Sequence, residues 1–202
     1  MSWKRAMLVP LLAVLGACAE GGIRGSGIST SVVGNVTSVT SGGTVAGIRV
    51  AIPGSGVATT TDSGGGFSLV GSFDGMLTVR FAPPGGGTAE LPVNVPAAGV
   101  LTLNNVHVDT VLGTAAAEVE EVDFDGVVVG TDCAAATMTM DSAVQTSGDD
   151  DGYVVDLTTS MLQDAQGNAV PCEVVQPGAP ATVSGQVYPS GVFGHCLVVL
   201  TE

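Results

Sequence analysis

Apolar residues recur at every second position along much of this chain, in short runs separated by glycine clusters. Ile48, Val50 and Ile52 alternate with Arg49 and Ala51, Leu77, Val79 and Phe81 with Thr78 and Arg80, and Leu91, Val93 and Val95 with Pro92 and Asn94. A two-residue period gives a strand one face for a core and one for water. The intervening Gly42-Gly43, Gly54, Gly64-Gly65-Gly66 and Gly85-Gly86-Gly87 supply turns. With 30 Gly and 10 Pro among 202 residues, a helical protein is excluded, while 45% apolar content suffices for a core. The expectation is an all-β protein. Pro92 points to an edge strand, because it has no N–H for a second neighbour. Leu101 and Leu103 are in phase, but Val106 and Val108 are one step off, which predicts a bulge at Asn104-Asn105.

Composition divides the chain. Residues 18–114 hold 5 acidic and 3 basic side chains, whereas residues 115–202 hold 14 acidic side chains and no Lys or Arg. About seven short strands over 31–110 fit a β-sandwich. Residues 111–118, with Gly113-Thr114-Ala115-Ala116-Ala117, read as a linker. Over 119–202 the alternation resumes: Val122 and Phe124, then Ala136, Met138 and Met140, then Val155 and Leu157, then Val183 and Val187, then an apolar run over 193–200. Five strands there fit a small closed barrel of OB type, with one helical turn at 160–166.

The first module resembles a known family. Val33-Gly34-Asn35-Val36, Gly42 to Val50, and Thr59 to Leu69 are similar to the carboxypeptidase regulatory-like domain, whose T-x-D-x-x-G-x-F stretch is matched by Thr60, Asp62, Gly65 and Phe67. The resemblance covers about 80 residues. It implies a seven-stranded transthyretin-like β-sandwich acting as a non-catalytic accessory module. The second module, through Gln176-Pro177-Gly178 and Ala181 to Gly185, resembles a small OB-like bacterial domain of unknown function, although Ala179-Pro180 lacks that domain's usual Asp. The fold expected is a sandwich followed by an acidic five-stranded OB-like barrel.

Residues 1–17 have the parts of a lipoprotein signal peptide. Lys4 and Arg5 precede an apolar stretch from Ala6 to Leu15, too short to span a bilayer. Leu15-Gly16-Ala17-Cys18 then resembles the lipobox of bacterial lipoproteins. This resemblance implies cleavage before Cys18 and its acylation, and several acyl chains hold a protein stably on a membrane. Ala19, where Asp would signal inner-membrane retention, implies the outer membrane in a Gram-negative source. The remainder of 18–30 is a Gly/Ser-rich tether with a reach of roughly 20 Å.

The acidic module suggests two candidate cation sites. Glu121-x-Asp123-x-Asp125-Gly126-x5-Asp132 approximates a calcium loop, but Val122 and Phe124 favour a strand with an acidic outer face. Asp149, Asp150 and Asp151 form a second acidic stretch before Gly152, most simply a solvated hairpin tip. Weak calcium binding through these residues is the alternative to no cofactor at all. Asp62 is expected to close a tight turn with its carboxylate.

A formal charge of −14 argues against nucleic acid, since phosphate needs cations and single strands need stacking rings. The envelope partners then left open are proteins and glycans, the latter disfavoured by the lack of Trp after Cys18. No nucleophile-elbow, zincin or phosphate-loop pattern occurs, and His107 and His195 fall in different modules, so no enzyme is expected. With Cys18 assigned to lipid, Cys133, Cys172 and Cys196 allow three pairings in an oxidising compartment. In an OB barrel the end of the first strand lies near the start of the fourth, which favours Cys133–Cys172.

Overall fold

A computed structural model describes residues 29–40, 42–142 and 152–201, and these are all-β. Cys18, Asp149, Asp150 and Asp151 lie outside the described residues. The first half contains β1 (Thr30–Val39), β2 (Arg49–Ala51), β3 (Ala58–Thr60), β4 (Gly66–Gly71), β5 (Gly75–Ala82), β6 (Ala89–Val95), β7 (Val100–Asp109) and β8 (Thr114–Ala116). The second contains β9 (Val119–Asp132), β10 (Thr137–Ser142), β11 (Tyr153–Asp156), β12 (Met161–Gln163), β13 (Pro180–Val187) and β14 (Phe193–Leu200).

The early strands form two layers of a β-sandwich. In one, β1 pairs antiparallel with β4 and parallel with β7. In the other the order is β3-β2-β5-β6, all antiparallel. Alternation dictates what meets between them. Val32, Val36, Leu69, Leu101 and Leu103 point inward from one layer and Val50, Val79, Phe81 and Val93 from the other, all buried. Phe67 on β4 meets Phe81 on β5 edge to face, ring centroids 5.7 Å apart. Each fully buried side chain of this size contributes about 1.5–3 kcal/mol by leaving water.

The expected bulge is present. Gly34 pairs with Leu103 but Val36 with Val106, so β7 has one residue more than β1 over this stretch. Asn105 absorbs it at φ 54°, a left-handed conformation that Asn tolerates. The slip keeps Leu101, Leu103, Val106 and Val108 all fully buried. Pro92 is exposed on β6, which pairs with β5 at that point and meets β8 only at Glu90.

The stretch 111–118 holds β8. Asp109 Oδ1 accepts the N–H groups of Val111 and Leu112, turning the chain back so that Thr114–Ala116 pairs with β7. The chain then enters β9, a 14-residue strand. Its first half pairs with β7, Val119 to Asn104 through Asp123 to Val100. From Glu121 to Val127 it also pairs with β13, and from Gly126 to Asp132 with β10. Val129 is squeezed out where Thr139 pairs with Gly130 but Met140 with Val128.

The pairings then close a circuit. β10 pairs with β11, β11 with β14 in parallel at Val155 and Phe193, β14 with β13, and β13 with β9. Inside lie Phe124, Met138, Met140, Val155, Val183, Phe193 and Val198, and the Phe124, Tyr153 and Phe193 rings pack on one another at 5.4–5.7 Å. The helical turn expected at 160–166 is corrected. Met161–Gln163 forms β12 beside β14, and Asp164 closes the following turn by accepting the N–H groups of Gln166 and Asn168. The sequence there has the turn-forming pattern of Asp and Gly rather than a helix start.

Gly65 makes a sharp test of this packing. It has φ +85°, and a Cβ there would overlap the Val36 carbonyl on β1. At neighbouring Gly64 an added Cβ meets only Asp62 Oδ1, at 3.4 Å. Gly65→Ala should therefore lower unfolding stability by about 1–3 kcal/mol and Gly64→Ala by clearly less, as read from urea melts of the two variants.

Candidate functional site

The T-x-D-x-x-G-x-F stretch is a structural device. Asp62 Oδ1 accepts the N–H groups of Gly64 at 2.8 Å and Gly66 at 2.9 Å. The Asp62 N–H in turn donates to the Gly66 carbonyl at 2.9 Å. Thr61 is buried beside it, donating to the Val45 carbonyl and accepting from Ile48 N–H. Phe67 follows on β4 and enters the core. The carboxylate thus closes the turn into β4, as its sequence context predicts.

The acidic residues of β9 lie on the strand's outward face. Val122 and Phe124 point inward, and Glu121, Asp123 and Asp125 point out at steps of about 6.5–7 Å along the strand. Each is bonded to a neighbour. Glu121 accepts from Asn104 Nδ2 at 2.9 Å, Asp123 from the Ser184 hydroxyl at 3.3 Å and Asp125 from the Thr182 hydroxyl at 2.7 Å. Asp132, at the far end, caps the next turn by accepting the N–H groups of Ala134 and Ala135. The four residues that match a calcium loop in spacing are therefore strung along a strand. Among the described residues, no group of three or more His, Cys, Asp and Glu side chains is placed to hold a metal ion.

Nonlocal pairing makes a groove that spacing could not reveal. Thr102 from β7, Glu121 and Asp123 from β9, Ser184 and Gln186 from β13 and His195 from β14 line an open depression of about 450 Å³. His195 reaches it through a further bulge: Gln186 pairs with Gly194 but Ser184 with Leu197, and His195 takes φ 49° between them. Its ring meets Tyr188 edge to face at 6.0 Å. The groove offers hydrogen-bond donors and acceptors on a shallow surface. His107 sits elsewhere, on β7, bonded to Ser38 and Thr40.

Cys133 and Cys172 form a disulfide, the pairing favoured by the OB resemblance. It ties the turn after β9 to the 3-10 turn Cys172–Val174, which precedes β13. Cys196 is a free, buried thiol on β14. Burial pushes its pKa up, so it stays protonated and is a poor nucleophile at neutral pH. Asp156, in contrast, is held below the ordinary carboxylate range, chiefly by the Thr158 hydroxyl and then its amide.

Glu120 is a half-buried carboxylate that the motif search passed over. It lies on β9 in phase with inward-pointing Val122, opposite Leu103 on β7. Burial raises its pKa. The sequence signal that could have found it is parity, since Glu120 lies two residues before inward-pointing Val122.

No protein-family model matches the chain, and no curated protein is similar enough to stand as a relative.

Two outcomes follow from this geometry. The disulfide closes a loop of 39 residues in sequence, so reduction should cost on the order of 3–4 kcal/mol in urea melts with and without reductant. Because the folded pKa of Glu120 lies above its unfolded value, the protonated form favours folding at acid pH and this gain is lost as pH rises through the folded value. Glu120→Gln should then stabilise the protein at pH 7, by less than about 1 kcal/mol given partial exposure, and the difference should vanish towards pH 3.5.

Proposed function

We propose that this chain is a non-catalytic, lipid-anchored protein of the cell envelope that displays two β modules for contacts with envelope proteins or glycans. In this reading β1 to β7 are a seven-stranded, transthyretin-like sandwich of the carboxypeptidase regulatory-like kind. The circuit β9-β10-β11-β14-β13 is an OB-like barrel, a reading supported by the parallel closure of its third and fifth members. Residues 111–118 join the modules, and β8 stitches that junction to β7.

One observation carries the non-catalytic display reading. The carboxylates Glu121, Asp123 and Asp125 lie along an outward sheet face, and each accepts a hydrogen bond from a side chain on an adjoining strand. Catalysis requires such groups to converge on one reacting atom with shifted pKa values. The carboxylates of β9 instead meet Asn104, Ser184 and Thr182, and the buried thiol of Cys196 is kept neutral. The anchor rests on Leu15-Gly16-Ala17-Cys18 behind a basic and apolar segment. Ala19 directs it to the outer membrane if the source is Gram-negative. The Cys133–Cys172 disulfide fits an oxidising compartment outside the cytosol.

Detergent phase separation tests the anchor. The native protein should enter the detergent phase, and Cys18→Ser should move it to the aqueous phase. An unchanged partition would overturn the lipid attachment.

A further inference from the structure

The turn between β6 and β7 belongs to the first half of the chain, yet it is packed among strands of the second. Turns at sheet ends ordinarily lie in water. Here Val95, Pro96, Ala97 and Gly99 are buried, and Ala98 is exposed. The sandwich fixes the shape of the turn. Thr30 Oγ1 accepts the Ala98 N–H at 3.0 Å, and the Gly99 carbonyl accepts the Ser31 N–H at 2.9 Å. Gly99 N–H donates to the Pro96 carbonyl at 3.0 Å, with Ala98 between them at φ 58°.

The rest of its surroundings come from four places in the second half. Buried Ser142, the last residue of β10, donates its hydroxyl to the Ala97 carbonyl at 2.6 Å. Tyr153, the first residue of β11, donates to the Val95 carbonyl at 3.4 Å. Gly191, in the turn before β14, accepts from Asn94 Nδ2 at 3.4 Å. Phe124 of β9 lies against Gly99, where an added Cβ would come within 3.0 Å of Phe124 Cβ and 3.1 Å of the Asp123 carbonyl oxygen.

Strand directions place these four at one end of the circuit β9-β10-β11-β14-β13. β10 ends and β11 begins there, with Met140 opposite Tyr153. Ser142 pairs with Gly126, two residues after Phe124. β13 ends and β14 begins there too, with Val187 opposite Phe193. The Cys133–Cys172 disulfide lies at the other end, where β9 turns into β10 beyond the pair Asp132 and Thr137.

We propose that the β6–β7 turn is a cork in this end of the circuit, and that it locks the two halves into one cooperative unit, so that opening the disulfide at the far end loosens the first half as well as the second. Two features make this a fixed seat. The Ser142 hydroxyl and the Ala97 carbonyl meet out of water, where a polar group without its partner is costly, so the pair holds the turn in one position. Strand β9 runs unbroken from the edge of β7 into the circuit, so the turn cannot withdraw without disrupting that strand. The outward faces of the two halves are thus held at a fixed angle. The inference rests on these pairings and contacts, and does not depend on the anchor, the display function or the OB resemblance.

The chain has two histidines, His107 on β7 and His195 on β14, so their ring C2 protons give one NMR probe in each half of the intact protein. In urea both native signals should disappear at one midpoint. Reducing the disulfide should lower both midpoints together, by about 1–2 M. Ala97→Asp puts a charge into the seat of the cork and should lower the His195 midpoint, in the opposite half, along with that of His107. Ala98→Asn, at the exposed position where Asn accepts a positive φ, should leave both in place. Ser142→Ala is a milder change that serves where Ala97→Asp fails to fold, and it should lower the His107 midpoint as well as that of His195. A His107 signal that outlasts His195 in urea or keeps its midpoint after reduction would overturn the proposal, as would a His195 midpoint unmoved by Ala97→Asp.

Discussion

Strand β9 is hydrogen-bonded along both edges, and its two ends belong to different parts of the fold. At its start Val119–Asp123 extends the sheet of β1 and β7. Further on, Gly126–Asp132 pairs with β10, while Glu121–Val127 pairs with β13. A flat strand could not serve both. The extra residue at Val129 and the approach of backbone at Gly126 allow it to bend. A Cβ at Gly126 would come within 2.6 Å of the Asp141 carbonyl. Loss of this pairing would cut the continuous sheet at its middle, and would take the outward acidic row and the β7-β9-β13-β14 groove with it.

The parts legible in the sequence were those set by local chemistry. Two in-phase pairs one step out of register located the bulge at Asn104-Asn105, and the absence of an N–H located Pro92 on an edge. An Asp before three glycines announced the Asp62 turn. The parts that were not legible depend on pairing across long separations. Thr114–Ala116 and Met161–Gln163 are too short to show a period, so one stretch read as linker and the other as a helical turn. Thr102 and His195 share a groove with Glu121 only because β7 and β14 lie on either side of the β9-β13 pair. For the acidic run, alternation and calcium-loop spacing made competing demands on the same residues. Alternation placed the odd-numbered carboxylates on an open face, and left Glu120 half buried on the other parity.

The acidic face raises an electrostatic question that the fold answers with neutral partners. Like charges about 7 Å apart along a strand lie within the Debye length of roughly 8 Å at physiological salt, so they repel one another appreciably. No Lys or Arg after residue 114 can offset them. Asn104, Ser184 and Thr182 instead donate neutral hydrogen bonds from the adjoining strands, which hold each carboxylate in place without neutralising it. The charge therefore remains available to the surroundings. Like charge on this face repels a second such face. In the first half, the ion pair of Arg80 with Glu90 at 2.7 Å lies on the layer opposite β4.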